Sequence, residues 1–141
     1  SSSWVFDTGS VVHICNSMQG LVRTRRVAQG EIDIRVGNKA RVAALDVGTM
    51  QLQLPFGFIM ELNNFYYIPA LSRNIISASC LMSRGYEFNL KDNGCSIFLN
   101  GMFHGYAPIV DELFILNLEQ ELVYYVNVKR HKPNEINRSY F

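Results

Sequence analysis

No stretch of this sequence is apolar for long enough to cross a membrane as a helix. The longest candidates, such as Phe65 to Leu71, are interrupted by Pro69 and fall far short of the roughly 18 to 20 residues a span requires. Nor is there an excess of charge of either sign. Lys and Arg number 13 against 12 Asp and Glu, a formal net charge of +1, so no general attraction to nucleic acid or to an anionic membrane is expected. Cysteine is sparse: Cys15, Cys80 and Cys95 are odd in number, far apart and form no CxxC pair. That pattern suits neither a disulfide framework nor a four-ligand zinc site, and reduced thiols in a cytoplasmic setting are expected, with no metal and no cofactor. No N-terminal leader is expected either. Ser1 to Ser3 run straight into Trp4-Val5-Phe6 with no basic start and no initiating Met, as expected of a soluble segment cut from a longer polypeptide.

What is present is the composition of a globular domain, 48% hydrophobic and 18% charged over 141 residues, enough for one core and too little for two substantial ones. Helical periodicity is scarce, and short alternating segments bounded by turn residues recur as far as about Asn117, which predicts a mainly β protein. Glu31 to Val36 alternates strictly, and Gly37-Asn38 reads as a hairpin turn into Arg41 to Leu45. Residues 39 to 54 read as a further hairpin with Gly48 in its tip. Pro55-Phe56-Gly57 is a turn, and Phe58 to Ile68 is a strand or two broken at Asn63-Asn64. The one helix expected is short, capped by Ser77 or Ser79, running through Ser83-Arg84 and stopped by Gly85. Strands at 86–90, 96–99, 103–106 and 113–118 follow, separated by Asp92-Asn93-Gly94 and Asn100-Gly101. Residues 1–118 are expected to form the domain. Residues 119–141 are expected to add one strand, Val123 to Val128, and a polar linker carrying Pro133.

The segment that carries chemistry is Trp4-Val5-Phe6-Asp7-Thr8-Gly9-Ser10. Three large apolar residues make a buried strand ending on an acid, and Thr-Gly then permits a tight turn in which backbone amides and a hydroxyl can hold the carboxylate. Such an acid is a turn cap or a catalytic group. Downstream come the glycine-containing segment around Gly48 and then Asn74-Ile75-Ile76-Ser77-Ala78-Ser79, two large apolar residues and a small one leading into the helix.

Trp4 to Gly9 with His13-Ile14-Cys15-Asn16, Val36-Gly37-Asn38, Val47-Gly48-Thr49, Tyr67-Ile68-Pro69-Ala70-Leu71, Asn74-Ile75-Ile76-Ser77, Cys80-Leu81 and Lys91-Asp92-Asn93 together resemble the protease segment of copia-type long-terminal-repeat retrotransposon Gag-Pol polyproteins. The resemblance runs over nearly the whole chain. It implies a retropepsin-like acid-protease β-barrel with a flap hairpin and one short helix, acting as a homodimer, with Asp7, Thr8 and Gly9 as the catalytic turn. In that family a zinc-binding segment preceding integrase follows a tail like 119–141. Ser10 and Ser77 stand where retroviral relatives usually carry Ala and Gly, and both remain small.

One acid cannot run peptide hydrolysis alone, because one carboxylate must take a proton from water while a second, protonated, polarises the amide. Only Asp7 is followed by Thr-Gly; Asp33, Asp46, Asp92 and Asp111 are not. A twofold dimer pairing Asp7 with its symmetry mate supplies the second acid. The substrate would be an extended Gag-Pol peptide, with Leu45, Val47 and Gly48 closing over it. Ile75 and Ile76 would either line pockets or pack in the core. The competing reading is an inactive or host-recruited domain of the same fold that dimerises a polyprotein. Partners expected are a second copy and the polyprotein peptide, without nucleic acid or membrane, in the cytoplasm and its virus-like particles. His13-x-Cys15 is read as neutral packing beside the active loop rather than a ligand pair. Arg23, Arg25 and Arg26 are read as a solvated cluster.

Overall fold

The computed structural model describes residues 3–36 and 40–118. In chain order the elements are β1 (Trp4–Asp7), β2 (His13–Cys15), β3 (Leu21–Arg26), β4 (Ile34–Val36), β5 (Ala40–Val42), β6 (Asp46–Gln53), β7 (Ile59–Tyr67), β8 (Asn74–Ser77), α1 (Ala78–Ser83), β9 (Tyr86–Lys91), β10 (Gly94–Leu99), β11 (Met102–Val110) and β12 (Leu113–Ile115), with a 3-10 turn at Pro55–Gly57. The mainly β class with one short helix is thus what the described residues form, an architecture compatible with an acid-protease barrel. No described helix is long and apolar enough to cross a membrane.

Ten strands hydrogen-bond in the order β3-β6-β7-β2-β8-β1-β12-β11-β10-β9, and β4 with β5 make a separate hairpin. Most neighbours are antiparallel. The exceptions place the candidate site: β1 pairs in parallel with β8, and β2 in parallel with β7. Strand β8 therefore lies between β1 and β2, which are consecutive in sequence. The 8–12 connection must pass over the end of β8 to join them.

Alternation along these strands builds the core. Phe6 enters it from β1, Leu52 and Leu54 from the β6 side, Met60, Leu62 and Phe65 from β7, Ile76 from β8, and Cys95, Ile97 and Ala107 from β10 and β11. Edge-to-face contact of Phe6 with Phe88, centroids 4.8 Å apart, and stacking of Phe58 on His104 at 4.6 Å fold the late strands back onto the early ones. A second, smaller cluster of Ile14, Ile34 and Ile68 carries the β4–β5 hairpin, with Val12, Ile32, Val42 and Ile75 packed against it.

Local chemistry explains the helix and the turns. The Ser77 hydroxyl accepts from the Cys80 N–H at 3.2 Å as N-cap of α1, and Gly85, at φ +96°, follows its end in the left-handed region that glycine tolerates. The turns at Asp92 and Asn100 separate β9, β10 and β11 as the sequence indicates.

Two expectations need correction. Residues 39–54 are not one hairpin: β5 pairs with β4, in register Ile34 with Val42, and the unbroken β6 pairs with β3 and β7. Gly48 sits inside β6 opposite Phe65, not at a tip. What requires glycine here is not a turn but close approach, since a Cβ there would stand 2.7 Å from the Val22 carbonyl oxygen and 2.9 Å from Thr24 Cγ2. Asn63-Asn64 likewise does not break the strand. The register of β6 with β7 shifts there, and Asn64 adopts φ +60°, so the pair forms a bulge within β7. The expected turn at Gly37-Asn38 and the strand at 123–128 lie outside the described residues.

Gly48→Ala should therefore cost about 1 to 3 kcal/mol of overpacking, read as a lower urea midpoint. An unchanged midpoint would show that the β3 backbone yields freely at this point.

Candidate active site

The strand-to-turn transition at Asp7 is local. Val5 and Phe6 are buried, Asp7 is half-buried, and Thr8 and Gly9 are exposed, so the acid stands where the core ends. Its Oδ1 accepts the Gly9 N–H at 2.7 Å, a charge-assisted bond that orients the carboxyl. Ser10 then donates its hydroxyl to the Val12 carbonyl at 2.7 Å, tightening the crest of the loop, and leaves Val11 79% exposed.

This loop is fastened to the start of α1. In the parallel register Asp7 lies opposite Ser77, and the buried Ser77 hydroxyl donates to the Ser10 carbonyl at 2.6 Å. Ser79 also reaches that carbonyl, at 3.3 Å, and the Cys80 thiol donates to the Val11 carbonyl at 3.3 Å. The same crossing is braced at the other end of β8, where buried Asn74 accepts the Asn16 N–H at 2.9 Å and Asn16 donates to the Leu71 carbonyl at 3.1 Å.

His13 opens β2 and is 3% exposed. Its ring stacks on Phe65 at 4.7 Å, and its Nδ1 accepts the Ser77 N–H at 2.9 Å. Burial, assisted by the positive charge of Arg84, lowers its pKa from 6.5 to about 4. The ring is therefore neutral at physiological pH, as its acceptor role requires. Burial also pushes the Cys15 thiol up to about 11. His13 and Cys15 thus act as packing groups beside the loop. Among the described residues no three His, Cys, Asp or Glu side chains gather as a metal site.

The other residues singled out in the sequence divide. Ile76 is 1% exposed in the main core, while the half-buried Ile75, opposite Val5 and Ile14, faces the cluster under the β4–β5 hairpin. Leu45, Val47 and Gly48 fall on or just before β6, which is not a neighbour of β1 in the sheet. Val47 and Gly48 are buried within β6, and Leu45 precedes that strand, its N–H bonded to the Tyr67 carbonyl at 2.9 Å. Strand β6 lies four places from β1 in the sheet, about 19 Å along it at the usual strand spacing. Sequence reasoning gave Ser77 a capping role but missed its bond to Ser10 and the Nδ1 acceptor of His13, because both depend on the insertion of β8 between β1 and β2, which are distant from it in sequence.

The family model for the β-barrel domain of Pol polyproteins matches residues 4–86, more than half of the chain. The chain belongs to that family. It is a retroelement-type Pol β-barrel domain. No curated protein and no solved structure gives a significant match. The match takes in β1 to α1, and so every residue of the loop junction around Asp7.

In this Pol domain the arginine cluster falls on the edge strand β3, and each arginine meets an acid. Arg23 pairs with Glu61, Arg25 with Glu31 at 2.8 Å and Arg26 with Asp46 at 3.7 Å. The Arg25 hydrogen bond, with the Ala28 N–H, pulls the Glu31 carboxyl down to about 2. Exposed pairs of this kind add little stability, and they neutralise the only basic run among the described residues.

The neutral, buried His13 sets a pH dependence. Its pKa is lower folded than unfolded, so the unfolded chain binds more protons between these values; the stability involved is complete above about pH 6.5 and is lost as pH falls towards 4. Between pH 6.5 and 5, above most carboxylate titration, unfolding free energy should drop by about 1.5 kcal/mol. Urea titrations across that range should show the fall in the wild type and its loss in His13→Phe. A flat wild-type profile would contradict a neutral buried ring.

Proposed function

We propose that this domain is the aspartic endopeptidase of a copia-type retrotransposon Gag-Pol polyprotein, active as a homodimer in which each subunit supplies Asp7. The observation that carries the reading is the placement of Asp7 at the end of a buried strand, in a Thr-Gly turn whose Gly9 amide orients the carboxyl, opposite the residue that caps α1.

No other described aspartate has this setting. Asp33 pairs with Arg35 and Arg41, Asp46 pairs with Arg26, and Asp92 and Asp111 lie in turns at positive φ. The second acid must then come from a second copy. Two carboxyls a few Å apart cannot both ionise easily, so they share one proton. The ionised member takes a proton from water as that water attacks the scissile carbonyl, and the protonated member donates to the carbonyl oxygen. Thr8, exposed beside Asp7, would buttress the pair, and Gly9 lets the two turns approach.

The substrate would be an extended segment of the polyprotein, bound by strand-like backbone hydrogen bonds. The covering role assigned from sequence to Leu45, Val47 and Gly48 passes to the β4–β5 hairpin. That hairpin is the element separate from the large sheet, and it shares the Ile14, Ile34 and Ile68 cluster with Val12 and Ile75, neighbours of the Asp7 turn in sequence and in register. Ile75, on that face, is the better candidate for lining a substrate pocket. The work would be done in the cytoplasm and within virus-like particles, with no cofactor, nucleic acid or membrane.

Asp7→Asn, close to the native side chain in volume, should leave folding intact and reduce processing of a longer precursor by at least about a thousandfold, the scale on which an essential acid-base group acts. Wild-type specific activity should rise with the dimer fraction seen in sedimentation. Normal processing by a folded Asp7→Asn chain would remove the protease reading.

A further inference from the structure

We propose that His13 is a positioning residue for the Asp7 turn: by accepting the Ser77 N–H it fixes the hydroxyl that holds the Ser10 carbonyl, and so sets where the Asp7 carboxyl stands. As a statement about catalysis this rests on the reading of Asp7 as the acid. As a statement about the turn it rests on geometry alone.

The ladder between β2 and β8 contains a single Cα pair, Ile14 with Ile75. Two residues beyond it on β8, the buried Ser77 N–H is met by imidazole Nδ1 at 2.9 Å instead of by a carbonyl. A buried donor left unmet is costly, so Ser77 stays where His13 holds it. From Ser77 the hydroxyl reaches the Ser10 carbonyl at 2.6 Å, three residues from Asp7. Stacking on Phe65 fixes the ring plane. Few titratable groups share these surroundings. Tyr66 and Tyr67 of β7 lie opposite Ile14 and Cys15 rather than opposite His13, Cys80 is on α1, Asp7 is one strand further on, and Arg84 beyond α1 is the charge that acts on the ring. Protonation of Nδ1 would remove the acceptor and release the junction.

The test is amide hydrogen exchange on the full chain, followed at Ser77, Gly9 and the β10 amides, beside precursor cleavage. His13→Phe keeps a stacked ring without an acceptor, and His13→Asn restores an acceptor at the same remove from the backbone. In His13→Phe, protection at Ser77 and Gly9 should fall about tenfold with β10 unchanged, and kcat should fall with KM within about twofold. His13→Asn should recover both. In the wild type, opening at these amides should increase roughly tenfold per pH unit from pH 6.5 towards 4, a trend absent in His13→Asn. Wild-type protection in His13→Phe, or loss spread equally over β10, would overturn the proposal. If the exchange pattern holds but the wild type cleaves nothing, the catalytic reading of Asp7 fails and the positioning of the turn stands.

Discussion

The structure depends on the insertion of β8 between β1 and β2, and on Ser77 at its end. Two strands adjacent in sequence would ordinarily pair with each other. Here they are separated by a third from some sixty residues later, and the loop that joins them crosses over its terminus. That crossing would strand polar groups in a buried place. Ser77 resolves it with three bonds, its N–H to His13, its hydroxyl to Ser10, and the same oxygen accepting from Cys80 to start α1. One small residue thereby ties the acid-bearing turn, the histidine strand and the helix together. A larger side chain would have no room, since Ser77 is fully buried. The hydroxyl adds what a glycine could not, a direct hold on the loop.

Much of this was legible where the cause is local. Capping at Ser77, the glycine after α1, and the turns at Asp92 and Asn100 are set by residues within a few positions of each other, and the helix and the β9–β11 meander follow from them. So does the half-buried Asp7 at the end of an apolar strand. What was not legible is long-range. Gly48 looks like a turn residue in sequence, and only the neighbouring β3 backbone, 2.7 Å from where a Cβ would lie, shows that it serves close approach within a strand. Strands β2 and β3 carry too little alternation to stand out. The parallel pairings of β1 with β8 and β2 with β7 have no local signature at all, and His13 acquires its role only because β8 is inserted beside β2.

The redistribution of roles has a physical consequence. In the proposed enzyme, with Val47 and Gly48 held within β6, movement over the site would fall to β4–β5, which is joined to the remainder through the small Ile14, Ile34 and Ile68 cluster rather than through the main core. A hairpin held by few apolar contacts opens at lower cost than a strand hydrogen-bonded on both sides. In the proposed dimer Val11, exposed at the crest of the Asp7 loop, would lie on the surface that the second copy covers, and if that interface is small, association would be concentration-dependent.

The claim on which the functional account stands is that one competent acid per subunit must meet another across a dimer. It is tested most directly by replacing wild-type chains with Asp7→Asn chains at a fixed total concentration that keeps them dimeric, and following precursor cleavage. If the dyad is shared, mixed dimers carry a single competent acid, and activity should fall with the square of the wild-type fraction, to about a quarter when the chains are equimolar and fully exchanged. Activity that follows the amount of wild-type chain alone, unaffected by the excess of Asp7→Asn, would contradict the account.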